Sequence, residues 1–365
     1  MAATPTNPAW SLAVPAVGLV TLVATWGRDL PGWLAAVVGL VLVAAVLAAV
    51  HHAEIVAARV GEPFGTLTLA VAVTVIEVAL ILTLMLTTPD EAETLARDTA
   101  YAAVMVILAG VVGSCLLVGT IKHHAQEFKA SGASGALSAL TVLVVLTLVL
   151  PRFTRSTEGG TYTTAQLLVM AAITLTLYGV FVFVQTSRHR NYFLPDVDED
   201  DDGEADDGAH PTPTLATTRA SLGLLVACLV SVVGLAKTLS PTLKDIVSTV
   251  GAPASTVGVV IAVLILAPET LAAVRAAAAN RLQTSMNLAL GSGLASIGLT
   301  IPTIAVASLI LDVPLELGLT APEIVMLTLA VFVSGMTVQR GRVTVLQGAI
   351  HLSVFSAFLF LAFVP

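Results

Sequence analysis

The chain has 365 residues, 56% of them hydrophobic and only 11% charged, with a mean hydropathy of +0.95. A soluble domain of this length needs far more charge to cover its surface, so a water-soluble globular class is excluded. The net charge of -8 comes almost wholly from nine carboxylates between Asp196 and Asp207, and nothing in the balance fits a nucleic-acid partner.

Apolar runs bounded by charges, Pro and Gly predict about eleven membrane helices, since about 20 apolar residues cross roughly 30 Å of hydrocarbon. They fall at 10–27, 32–53, 63–88, 99–121, 133–150, 162–186, 217–239, 250–274, 282–311, 320–338 and 342–364. The first run lacks a basic leader and a small-residue cleavage pattern, and is read as a retained helix. The second ends in His51-His52-Ala53-Glu54 and the fourth in His123-His124-Ala125-Gln126-Glu127. Both read as polar helix tips, with a proton relay as the sharper alternative. His351, inside the last apolar run, carries the same two readings. Cys115 and Cys228 both lie inside apolar runs, which argues against a disulfide framework.

With the N-terminus placed in the cytoplasm, ten Lys and Arg residues fall in inside loops and six in outside loops. That is the direction of the positive-inside rule, and it predicts an N-in, C-out chain in the inner (plasma) membrane. Here Arg97 and Asp98 count as residues of an outside loop. The acidic stretch separates five helices from five others, after one extra helix at the start. An odd number per half makes the second half enter the membrane from the opposite side, the arithmetic of an inverted repeat. The predicted divisions are 1–31, 32–194, the linker 195–216, and 217–365. The linker itself is read as a solvated segment or as a cation collector at the cytoplasmic mouth.

Two glutamates stand out. Glu77 lies within Leu69–Ile81, about 21 Å along a helix opened by Pro63. Glu269 lies within Val259–Thr270, sixteen residues after Pro253. A charge at mid-bilayer costs at least about 2.5–3.5 kcal/mol, so such a carboxylate persists where it pairs, binds an ion or carries protons. Thr74, three residues before Glu77, shares its helical face. Pro268 has no N–H to give, which leaves the carbonyl of Leu264 without its helical donor and open to a cation. Each glutamate helix is followed by a run of small residues. One is Gly110-Val111-Val112-Gly113-Ser114-Cys115, and the other runs from Asn287 to Gly298 with Ser285, Ser292 and Ser296 on one face. Close helix packing explains many of these residues, and ion lining is the alternative for the serines.

Paired intramembrane glutamates, each followed by a Gly/Ser-rich helix, in two halves joined by an acidic segment, resemble the bacterial branch of the calcium/proton antiporters of the cation-exchanger superfamily. The likeness is carried by Gly61-Glu62-Pro63-Phe64-Gly65-Thr66 through Thr74-Val75-Ile76-Glu77, and by Ala267-Pro268-Glu269-Thr270 through Met286-Asn287-Leu288-Ala289-Leu290-Gly291. The resemblance implies an all-α integral membrane fold, with one peripheral helix and two inverted five-helix repeats. It also implies that Glu77 and Glu269 are the central ligands of the transported cation, with Ser114 and Ser296 as neighbours. Many family members carry Gly-Asn where this chain has Val73-Thr74 and Ile265-Leu266, and asparagine where it has Cys115. With fewer amide oxygens, the six to eight oxygens that calcium takes must come from carbonyls and water, so sodium and potassium stay open beside calcium.

Two carboxylates close together in a low dielectric cannot both stay ionised and empty. Either a cation or protons must neutralise them, and that exclusion is exchange if the site opens to one side at a time. The expected activity is cation/proton antiport with no bound cofactor, and the expected partners are cations, protons and the bilayer. A passive cation channel is the alternative from another class. No Gly-x-Ser-x-Gly, His-Glu-x-x-His or Walker motif occurs to support an enzyme or an ATP-driven pump.

Overall fold

The structure, a computed structural model, describes residues 7–61, 64–87, 92–193, 212–253 and 255–364. Pro63 and the acidic segment Asp196–Asp207 lie outside the described residues. The described chain is almost entirely helical, in eleven helices. These are α1 Ala9–Thr25, α2 Gly32–Val60, α3 Phe64–Thr87, α4 Ala92–His123, α5 Ala130–Phe153 and α6 Thr164–Arg188, followed by α7 Leu215–Val250, α8 Ser255–Ala278, α9 Leu282–Leu311, α10 Ala321–Arg340 and α11 Val345–Phe363. All but α1 are long and apolar enough to cross a bilayer. The eleven apolar runs of the sequence are thus eleven helices. Only helices can satisfy every backbone polar group inside their own segment in hydrocarbon.

Three boundaries differ most from the sequence expectation, one of them the end of α7, expected at 239 and found at Val250. The helix expected from position 99 begins at Ala92, so Arg97 and Asp98 are helical and buried rather than loop residues. They fit because Arg97 Nε holds Asp98 Oδ1 at 2.8 Å and its Nη1 holds Glu316 Oε1 at 2.7 Å. The second helix runs on to Val60, past the histidines that were read as its tip. His52 is fully buried there and donates from Nε2 to the Ser11 carbonyl at 2.9 Å.

Residues 1–80 and 195–242 form one compact unit, and residues 81–194 and 243–365 a second. In the first, α1 lies on α2 and on α7. Glycine permits the approach to α7, because a Cβ on Gly18 would meet Ser231 Oγ at 2.8 Å. In the second, α8 packs on α4 and α9, α10 on α5 and α11, and α6 on α9. At the N-terminal end of α4, the segment before α10 is fastened by Glu316 N–H to Glu93 O, Gly318 N–H to Gly160 O and Leu319 N–H to Leu148 O, each 2.8 Å. At the other end of α4, β1 (Gln126–Glu127) pairs antiparallel with β2 (Arg342–Val343). There Gln126 Nε2 donates to Asn280 Oδ1 at 2.9 Å, and Lys129 N–H to Gln283 Oε1 at 2.6 Å.

Among the described residues four helices turn π-helical, α5 at Val145–Val149, α6 at Val184–Arg188, and α4 and α9 at matching places. α4 starts at Ala92 and turns π-helical at Val106–Val111, and α9 starts at Leu282 and turns π-helical at Ser296–Thr300. Both π turns therefore open about four turns into their helix. These are the two helices that follow the glutamate helices.

Candidate functional site

Glu77 is only 2% exposed and stands thirteen residues after Phe64, about 20 Å along α3. Thr74, one turn earlier, is 7% exposed, and fully buried Ile76 and Leu80 flank the carboxylate along the chain. A carboxylate so placed is carried past apolar neighbours only at a cost, which is the mark of an intramembrane functional group.

Glu269 stands fourteen residues into α8 and is half-buried. Pro268 lies inside the unbroken helix just before it. Because proline lacks an N–H, the half-buried Leu264 cannot use its carbonyl in the regular i→i+4 ladder. Ser114 is half-buried and follows the π turn of α4, while Ser296 is 6% exposed and is the first residue of the π turn of α9. Helices α8, α4 and α9, which carry Glu269, Ser114 and Ser296, pack on one another in pairs. Cys115 on α4 and Ser285 on α9 are both fully buried. The predicted residues thus divide by unit. Thr74 and Glu77 belong to the first, and Leu264, Glu269, Ser114 and Ser296 to the second.

Among the described residues, no three His, Cys, Asp or Glu side chains converge to hold a metal ion. The residues singled out in the sequence offer carboxylates, hydroxyls and a carbonyl left without its helical donor by proline. Oxygen donors of this kind suit hard cations such as calcium, sodium and potassium.

Sequence reasoning missed three features. The π turns were invisible to it, although glycine and serine were noted around both. Arg97 and Asp98, paired with each other and through Arg97 with Glu316, looked like loop charge. Both border a cavity of about 370 Å³ in the second unit, lined also by Tyr101, Glu323, Val259 and Phe358. The third is His351, singled out in the sequence but with no partner to read. It is 1% exposed and bonded through both ring nitrogens, to the Leu108 carbonyl at 2.6 Å and to Thr337 Oγ1 at 3.0 Å.

Among the described residues ten helices are long and apolar enough to cross a bilayer, the build of a polytopic membrane protein. The sodium/calcium exchanger protein family model matches residues 30–187 and again residues 220–364, and the chain belongs to that family. It is 45% identical over 362 residues to y4hA of Sinorhizobium fredii (strain NBRC 101917 / NGR234), named as an ionic transporter, covering 98% of this chain and 97% of that one. It is 34% identical over 359 residues to the sodium-potassium/proton antiporter ChaA of Escherichia coli (strain K12), covering 97% and 96%. Its fold is similar to that of the Ca2+/H+ antiporter protein YfkE, with a TM-score of 0.71 at 18% identity over 98% of both chains.

Proposed function

We propose that this chain is a secondary active cation/proton antiporter of the inner membrane, exporting calcium against protons by alternating access at Glu77 and Glu269. One observation carries the reading. Each half holds a carboxylate on its second spanning helix, and the third helix then breaks into a π turn about four turns from its start. In a low dielectric such carboxylates must be neutralised, and a cation and protons are alternative ways of doing it. Thr74, Ser114, Ser296 and the Leu264 carbonyl are the proposed oxygen donors beside them.

The same pairing supports an arrangement of a peripheral helix (1–31), a first repeat (32–194), a linker (195–216) and an inverted second repeat (217–365). Two successive matches of one family model also favour it. The Lys and Arg distribution supports an N-in orientation.

A second cation is favoured by a specific observation. Cys115 offers a thiol where an amide oxygen would help calcium, and the relative ChaA is named for sodium and potassium. The site is then the same and the cargo monovalent. Everted vesicles with a pH-reporting dye, titrated separately with calcium, sodium and potassium, decide between them. Wild type should dissipate the proton gradient on addition of its cation, and Glu77→Gln or Glu269→Gln should abolish that response at normal protein levels. Normal exchange by either variant removes that residue from the mechanism. Cation flux indifferent to the pH gradient would replace antiport by a channel.

A further inference from the structure

The π turn of α4 has an outside support. Within it Val112 N–H reaches back five residues to Ile107 O, so the regular four-residue ladder is given up there. The neighbouring carbonyl, that of Leu108, accepts a hydrogen bond from Nδ1 of His351 on α11, at 2.6 Å. A carbonyl has no proton to give, so Nδ1 carries the hydrogen, and Nε2 is the acceptor of the Thr337 hydroxyl on α10 at 3.0 Å. Buried threonines such as Thr99 and Thr120 turn their hydroxyls onto their own helix, to Leu95 O at 2.8 Å and Leu116 O at 2.6 Å. Thr337 gives its proton to the imidazole instead. Both ring nitrogens are satisfied in the neutral form, which suits a ring 1% exposed among membrane helices.

Glycines bring α11 close enough for this contact. A Cβ on Gly113 would stand 2.9 Å from that of His351, one on Gly110 would stand 3.1 Å from the Phe355 ring, and one on Gly348 would meet the Leu117 backbone at 2.6 Å. On its other sides the same π turn bears on α8, which carries Glu269, and on α9. Ser114 follows it by three residues.

We propose that His351 is a positioning residue for cation binding. Neutral and oriented by Thr337, it holds the Leu108 carbonyl and so sets where the π turn stands against the Glu269 helix and where Ser114 points. This role rests on the antiport reading.

The test compares wild type, His351→Ala and His351→Asn as full-length protein in everted vesicles. Asparagine places an amide nitrogen near the position of Nδ1 and keeps the donor. The alanine variant should raise the half-saturating cation concentration about tenfold with the maximal rate retained, and asparagine should restore most of the loss. Deuterium uptake across residues 104–116 should rise in the alanine variant only. A purely structural histidine would change uptake, or the amount of protein, without moving half-saturation, and that outcome overturns the proposal. So does an asparagine variant as impaired as alanine. Wild-type vesicles with no cation-driven proton movement would instead overturn the antiport reading.

Discussion

The two glutamate helices solve one problem by different means. In α3, Glu77 is 2% exposed on a helix with no proline among its described residues, with Thr74 as the polar neighbour one turn away. In α8, Glu269 is half-buried, and Pro268 beside it opens the backbone. In the proposed site, Glu77 would draw on side-chain oxygens such as that of Thr74, and Glu269 on the main-chain oxygen that Pro268 leaves without its helical donor. Exchanging these devices should therefore harm the two helices unequally.

The largest effect is expected from Ile76→Pro, which gives α3 the proline-glutamate pair of α8. A proline in a helix interior costs about 3 kcal/mol or more, and Ile76, 1% exposed, would also lose its packing. The variant should fall far in thermal midpoint, or fail to accumulate folded in detergent. A midpoint within a degree or two of wild type would show that α3 tolerates the architecture of α8, and the contrast would collapse.

The fold was legible because a membrane imposes a length and a composition on each crossing, and charge marks the ends. Where charge is satisfied internally, that rule misleads. Arg97 and Asp98 were assigned to a loop since nothing in the sequence reveals that Glu316, more than two hundred residues later, completes their pairing. His52 read as a helix tip for the same reason, its acceptor being a carbonyl on α1. Glu77 and Glu269 were legible as the rare charges inside long apolar runs. The π turns were not, because one extra residue per turn changes neither hydropathy nor length. Their helices stand out in the sequence through glycines and serines such as Gly110, Gly113, Ser114, Ser296 and Gly298.

A middle-sized effect should separate Glu77→Asp from Glu269→Asp. Either change draws the carboxylate back by about 1.5 Å, one carbon–carbon bond. Around the half-buried Glu269, water can fill the gap and bridge to a cation, at a modest entropic cost. Around Glu77, packed at 2% exposure, water has less room. Half-saturating cation concentration in the dye assay should rise about a hundredfold for Glu77→Asp and about tenfold for Glu269→Asp, or about 2.7 and 1.4 kcal/mol. Equal shifts would show that exposure does not distinguish the two carboxylates.

The smallest effect, and the most diagnostic, is expected from Pro268→Ala. Alanine restores an N–H that can bond the Leu264 carbonyl and removes the strain of an interior proline, so α8 should gain stability. The thermal midpoint should rise by a few degrees. The same bond turns the carbonyl back into the helix and takes an oxygen from the proposed cation site, so half-saturation should rise a few-fold while Glu269 stays in place. Stability and affinity then move in opposite directions from one substitution. A plain kink with no part in binding would raise the midpoint and leave the cation titration unchanged, and the unlike construction of α3 and α8 would then concern packing alone.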